Sequence, residues 1–348
     1  MRIGTFNLNN LFSRWNVYGE EPKPADVERR RGVASAAATA PRHWLATEPA
    51  SGHRSFATQG GSGSEADAVR VTYVDVGPGG KAVKRREFKG KMIYRKEPEA
   101  TARIAERIKA MKLDVLAAQE IEDLPTLEEF GRTHGLRRTL PHAVLVEGND
   151  SRFIDVGVLS RLPIGRVTSW RFRTHPEASG RRVFSRDLLQ VDILTPDRSA
   201  RLVTVFNNHL KSQLGQPAST GRRRRQQVEA IAAIVAEQRL DRFVVLGDMN
   251  DKPDAEALSA FQSMGLVDAL AQPIEVGTPP EWPDVPPSHG RWTHRYRRSK
   301  TRVDYELYDQ IWVSPDLAGA IAGAWIYRRS VAQGDASDHD PAVVELEL

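Results

Sequence analysis

The chain closes on GDASDHDPAVVELEL, residues 334–348, where Asp338, His339 and Asp340 stand side by side ahead of an alternating apolar run. Period-two alternation marks that run as a half-buried closing strand, so three ionisable residues crowd its mouth. Surface decoration would explain them, and so would a metal-assisted hydrolase. Four other stretches share the form, an apolar β-rich run ending in acid, amide or imidazole. They are TFNLNN (Asn7, Asn9), AAQEIED (Glu120), VFNNHLKSQ (Asn208, His209) and VVLGDMND (Asp248, Asn250). One Asp-x-Asn alone reads as an Asx-type turn, and one histidine alone as a satisfied hydrogen-bonding residue. Five such endings in one chain point to a site.

Composition narrows the chemistry. Cysteine is absent, which excludes disulfides, thiol nucleophiles and Cys-ligated zinc. Carboxylates and amide oxygens are hard ligands suited to Mg²⁺ or Mn²⁺, and imidazoles add acid–base or charge-stabilising groups. Together these suit phosphoester hydrolysis. GDMND is not a calcium loop of the EF-hand type, because Lys252 stands where an oxygen ligand belongs and no glycine follows. No run approaches the roughly 18 apolar residues of a spanning helix. MRIGTFNLNN lacks the marks of a secretory signal, so the expected location is cytoplasmic.

Along the chain, RIGTFNL reads as a buried first strand. Residues 14–96 are rich in Arg, Ala, Gly, Ser and Pro and read as a long basic insertion, partly disordered, into a single 1–348 domain. Within it, VRVTYVDVGPGGKAVKRREF is a hairpin candidate across its Gly-Pro-Gly-Gly turn. EPEATARIAERIKAMK is an amphipathic helix with Ile104, Ile108 and Met111 on one face and Pro98 in its first turn. TLEEFGRTHG, GRRRRQQVEAIAAIVAEQ and DAEALSAFQSMG are further helices. Strands are read at LDVLAAQEIED (running into a polar loop), HAVLVEG, IDVGVLSRLPIG, SRDLLQVDIL, RLVTVFNNHL, RFVVLGDMND, YDQIWVSP and PAVVELEL. This order predicts an α/β sandwich.

The series FNLNN, QE, VGVLSR, NNHLKS, GDMND, YDQIWVS and SDHDP, in this order, resembles the endonuclease/exonuclease/phosphatase superfamily over residues 1–12 and about 97–348. The resemblance implies a DNase I-like four-layer sandwich, two packed mixed β-sheets flanked by helices. It also implies a metal site of Glu120, Asn7 and Asp338. Asp248 would orient or deprotonate the attacking water, and Asn250 would contact phosphate. His339 would bind the scissile phosphate with Asp309 fixing its ring, and His209 would assist the leaving oxygen. Asp155 is the candidate orienting acid for His209, and Arg186 resembles a phosphate-contacting arginine. Asn9 departs from the abasic-site endonucleases, which have an acid there.

The superfamily's substrates are varied, so the basic segments must discriminate. KAVKRREFKGKMIYRK (81–96) carries eight basic residues against one acid, and RWTHRYRRSKTR (291–302) mixes six with aromatic rings. GRRRR (221–225) follows the His209 motif. Arg222, Arg223, Trp292 and Arg295 are therefore substrate-binding candidates, able to neutralise phosphates and stack on bases. With a net charge of +5, the expectation is a monomeric, Mg²⁺- or Mn²⁺-dependent nuclease, with Ca²⁺ as a candidate second ion. It would act on DNA ahead of RNA and bind no membrane. A phosphatase or phosphodiesterase of the inositol phosphate or sphingomyelinase type, and an idle nucleic-acid-binding module, are the alternatives.

Overall fold

RIGTFNLNNL forms strand β1 (Arg2–Leu11), and its alternation sorts two cores. Ile3 joins a cluster on one face, and Phe6 and Leu8 join a second cluster on the other. The computed structural model describes residues 1–12, 16–19, 54–58, 68–76, 82–93, 96–150, 152, 154–178, 180–277, 290–299, 301–330 and 336–348. Two compact units are present, residues 1–11 with 96–348 and residues 12–95.

The smaller unit contains β2 (Asn16–Gly19), β3 (Arg54–Thr58), β4 (Ala68–Val76) and β5 (Ala82–Ile93). They form an antiparallel sheet in the order β2-β5-β4-β3. The hairpin expected from its sequence is the β4–β5 pair, with Thr72 opposite Glu87. Its turn glycines, and the disorder expected for part of this insertion, lie outside the described residues.

In the larger unit the chain continues through α1 (Pro98–Met111), β6 (Val115–Ile121), α2 (Leu124–Thr133), β7 (His142–Leu145), β8 (Asp155–Ser160) and β9 (Ile164–Ser169). Next come β10 (Leu188–Leu194), β11 (Arg201–His209), α3 (Pro217–Gln238), β12 (Phe243–Asp248) and α4 (Ser259–Ser263). Short strands β13 (Val267–Asp268), β14 (Ile274–Val276), β15 (His294–Arg297) and β16 (Val303–Glu306) follow. Strands β17 (Asp309–Val313), β18 (Ile321–Tyr327) and β19 (Ala342–Leu346) close the unit.

Seven strands make one sheet, β14-β18-β19-β1-β6-β8-β7, and six make the other, β13-β17-β12-β11-β10-β9. Between them lies a core of Ile3, Val115, Val156, Val205, Val244 and Ile311, among others. The outer face of the first sheet packs on α1 and α2 through Phe6, Ile104, Ile108, Met111, Leu127 and Phe130. That of the second packs on α3 and α4 through Phe206, Val245, Val228, Ile231, Ile234 and Phe261. The result is the expected four-layer α/β sandwich.

Local signals explain the helix ends. Pro98 opens α1 and a left-handed Lys112 closes it, while the Asp123 side chain caps α2 by accepting from the Thr126 N–H. Several elements go beyond the sequence reading, among them the short strands β2, β3, β13 and β14. Strand β18 follows a 3₁₀ turn, and β15 and β16 form a hairpin in the Arg-rich run, where charge hides the alternation. Among the described residues no helix is long and apolar enough to cross a membrane.

Candidate active site

Period-two alternation delivers the polar side chains to one place. Val203, Val205, Val244, Leu246, Ile311 and Val313 fill the core between the sheets. The next inward position on each of these strands is at the cleft mouth: Asn207 then His209, Asp248, and Asp309. Register aligns them, with His209 opposite Asp248 and Asp248 opposite Asp309 on three neighbouring strands. Gly247, with φ +139°, permits this close pairing, because a Cβ there would lie 1.9 Å from the Asn208 carbonyl oxygen. Asn207 ties the two sheets together. It accepts from Gln119 Nε2 at 2.8 Å and donates to the Ala118 and Gly157 carbonyls. Asn208 points to the other face and donates to the Leu246 carbonyl.

Facing this rung, the first sheet contributes Asn7 and Glu120. Strict alternation would turn Glu120 toward the helices, but β6 is bulged there and Glu120 has φ +61°. Its Oε1 lies 3.4 Å from Asn7 Nδ2 and 3.9 Å from His209 Nε2, and its Oε2 accepts from the Asn10 N–H at 2.9 Å. Asn7 also donates to Asp248 Oδ2 at 3.0 Å, while the Asn9 N–H fixes the Asn7 amide oxygen. Asn9 thus acts through its backbone. Asp248 Oδ1 accepts from the Asn250 N–H at 2.9 Å, leaving Oδ2 to face Asn7 and His209 Nε2, the latter at 3.4 Å. Asn250 itself donates to the Leu210 carbonyl.

The closing loop completes the cleft. His339 Nδ1 lies 2.6 Å from Asp309 Oδ2, and its Nε2 lies 3.9 Å from both Asp248 Oδ2 and Asp338 Oδ1. The two imidazoles are electrostatic opposites. Burial, with the charges of Arg186 and His339, holds His209 well below its ordinary range, so it is neutral. Burial would also lower His339, but the Asp309 carboxylate overrides it and raises the ring to about 10. His339 is therefore an imidazolium at neutral pH.

The acids divide as well. Burial raises Glu120, and the charge of Asp338 adds to it. Burial likewise raises Asp248, against the pull of His339. Burial would raise Asp338 too, but His294 and His339 hold it low. Glu120 and Asp338 are thus like charges brought together with no thiol, hard carboxylate oxygens that a divalent cation fits. Lys96 supplies one positive charge against both, and burial lowers its amine to about 8. Its ammonium donates to the Ala336 carbonyl.

Several expected residues fall elsewhere. Asp155 does not reach His209. Its Oδ1 accepts from the Gly148 N–H at 2.7 Å, and His209 Nδ1 has no partner among the described residues. Strand β8 starts at Asp155, so the carboxylate serves the loop before it. Arg186 is buried with its charge acting on Glu120 and Asp248, but its Nε lies 3.2 Å from Asp150 Oδ2. Trp292 is a core residue, 1% exposed, with the Arg328 guanidinium 3.7 Å over its ring, so no base can stack on it. Arg223 is tied to the Arg182 carbonyl, and Arg295 Nε donates to the Tyr305 hydroxyl. Arg222 alone of the four is an exposed side chain. From this placement, Asp155→Asn keeps turnover within about tenfold, since removing true acid–base help costs ~100-fold or more. Steady-state kinetics checks it, and a ~100-fold loss would restore Asp155 to the His209 pair.

Comparison with known proteins agrees with this architecture. The Endonuclease/Exonuclease/phosphatase family model matches residues 90–339. None of the curated proteins compared matches the sequence. A solved endonuclease/exonuclease/phosphatase from Bacteroides vulgatus superposes with a TM-score of 0.51 at 17% identity, covering 72% of this chain and 90% of that one. For an AP endonuclease from Archaeoglobus fulgidus the values are 0.51 and 18%, over 73% and 96%. A beta toxin from Staphylococcus aureus gives 0.50 and 13%, over 72% and 92%. With the family model spanning well over half its length, and the DNase I-like sandwich in place, the chain belongs to the endonuclease/exonuclease/phosphatase family of phosphoester hydrolases.

Proposed function

We propose that this protein is an Mg²⁺- or Mn²⁺-dependent phosphodiesterase that cleaves nucleic acid, DNA ahead of RNA, by in-line attack of water. The observation that carries the reading is the shared level of His209, Asp248 and Asp309 across three strands, facing Asn7 and Glu120. Glu120, Asn7 and Asp338 would hold the cation, which supplies charge neutralisation at the phosphate. Asp248 Oδ2 takes a proton from the attacking water, and burial makes it a stronger base than a solvated aspartate. The His339 imidazolium donates from Nε2 to a phosphate oxygen, held by Asp309 at Nδ1. Neutral His209 donates a hydrogen bond toward the leaving oxygen, and Arg186 adds positive potential from behind.

A polymeric substrate is supported by the β15–β16 hairpin, which bridges to His339 through His294. It carries Arg297 and Arg298 exposed, Arg298 ion-paired with Asp304, and Tyr296 is 49% exposed with its ring stacked on His294. Exposed cations beside an aromatic face suit a phosphodiester strand. The test incubates purified protein with supercoiled plasmid, RNA, inositol phosphates and a generic diester, with each metal and with EDTA. Metal-dependent plasmid cleavage is expected, with rates that fall as salt rises. Hydrolysis of inositol phosphates with plasmid left intact would overturn the nucleic-acid reading.

A further inference from the structure

His294 brings a third imidazole to the cleft. It opens β15 and pairs through an isolated bridge with His339, and the two ring centroids lie 4.6 Å apart. His294 Nε2 lies 3.5 Å from Asp338 Oδ2, and His339 Nε2 lies 3.9 Å from Asp338 Oδ1. One donor atom from each of the three residues falls within 4.8 Å of the others. A tetrahedral ion with bonds of ~2.0–2.1 Å holds its ligand atoms ~3.4 Å apart. These separations are therefore within small side-chain rotations of a three-ligand site with its fourth position open.

We propose that His294, Asp338 and His339 bind a borderline transition cation of the zinc class, and that its occupancy shuts off the hydrolytic site. Two imidazoles and one carboxylate form a nitrogen-rich set that prefers such an ion to Mg²⁺. It adjoins the oxygen donors Asn7 and Glu120 and shares Asp338 with them. Each ligand is already held. His339 Nδ1 is tied to Asp309 at 2.6 Å, the carboxylate–histidine arrangement that aims Nε2 outward. The His294 ring stacks on Tyr308 at 5.1 Å and 19°. The flanking backbones are joined by Asp340 N to the Thr293 carbonyl and Arg295 N to the Asp338 carbonyl. His294 Nδ1 is buried without a hydrogen-bond partner among the described residues, so the ring is not committed to another role.

Inhibition follows from atom sharing. The bond that forms uses the lone pair of His339 Nε2, and the proton there passes to solvent. That nitrogen is the one assigned to the substrate phosphate, so the inhibitory half of the proposal rests on the proposed function. The binding half does not.

The test is equilibrium dialysis of the full chain against Zn²⁺ in excess Mg²⁺, with thermal melting to confirm folding. The wild type is expected to retain zinc, His294→Gln to bind it roughly 100-fold more weakly, and His294→Asp, which keeps a donor atom, to lose less. If His294→Gln melts early, the His294→Asp affinity decides. Zinc should also inhibit diester hydrolysis by the wild type and spare His294→Gln at the same concentration. No retention by the wild type, or equal retention or equal inhibition in His294→Gln, would overturn the proposal. A protein that binds zinc through His294 but hydrolyses no phosphoester would instead sink the proposed function and leave the binding site standing.

Discussion

His339→Ala is expected to lower diester hydrolysis by at least ~100-fold and to destabilise the fold at the same time. Both effects come from one geometry. The ring bridges Asp309 at Nδ1 and faces Asp248 and Asp338 at Nε2. Asp309 is fully buried, and it sits opposite Asp248 in the strand register. Deleting the imidazolium leaves two buried carboxylates side by side with no cation between them. Breaking a buried pair from one side costs about 3–5 kcal/mol, well above the effect of an ordinary surface change.

Asp309→Asn separates the charge from the ring. It keeps the imidazole and its neighbours but removes the carboxylate that raises His339 to about 10. The sign follows from that shift. A histidine raised in the folded state contributes fully below its ordinary value near 6.5, and the contribution fades as pH rises through about 10. Wild-type activity that depends on the imidazolium therefore persists well into the alkaline range. In Asp309→Asn the alkaline limb should move down toward the ordinary histidine value. A kcat/KM profile reads this directly. An unmoved alkaline limb would remove the imidazolium from the phosphate-binding role.

How much of this was legible in the sequence depends on distance along the chain. Residues whose strand placed them were readable: His209, Asp248 and Asp309 each continue an apolar alternation, and the same alternation built the core beneath them. Glu120 was found through its Gln-Glu context, although its orientation depends on a bulge that period alone would misplace. Asp155 failed because a motif can locate a carboxylate near a strand end without saying which loop it holds. Trp292 failed for a related reason. A tryptophan amid arginines reads as a stacking platform, but the guanidinium of Arg328, the residue just after β18, covers its ring and the side chain is in the core. His294 was hidden in the same run, since only the pairing of β15 with the closing loop reveals its neighbour.

Asp340 is the clearest case of a residue whose role is tertiary, and its replacement has the second large expected effect. It directly precedes Pro341 and is fully buried among three arginines. Its Oδ1 accepts from Arg107 at 2.7 Å and from Arg329 Nε at 3.1 Å, and its Oδ2 faces Arg328 at 3.3 Å. Those arginines hold the loop that carries the site. Arg329 donates to the Ser337 and Asp338 carbonyls, and Arg107 to the His339 and Tyr327 carbonyls. Glu275 offsets part of the charge on Arg328, and Arg107 and Arg329 each pair with Asp340. Asp340→Asn keeps the shape and removes the charge, so it should cost about 3–5 kcal/mol in denaturant unfolding, and Asp340→Ala more. Turnover should fall in the folded fraction as well, because the carbonyl clamps on Ser337, Asp338 and His339 loosen together. The His339 alkaline limb should stay in place, since the Asp309 contact does not pass through Asp340. That combination separates positioning from chemistry: an Asp340→Asn protein that unfolds within about 1 kcal/mol of wild type would show that the arginines find other partners.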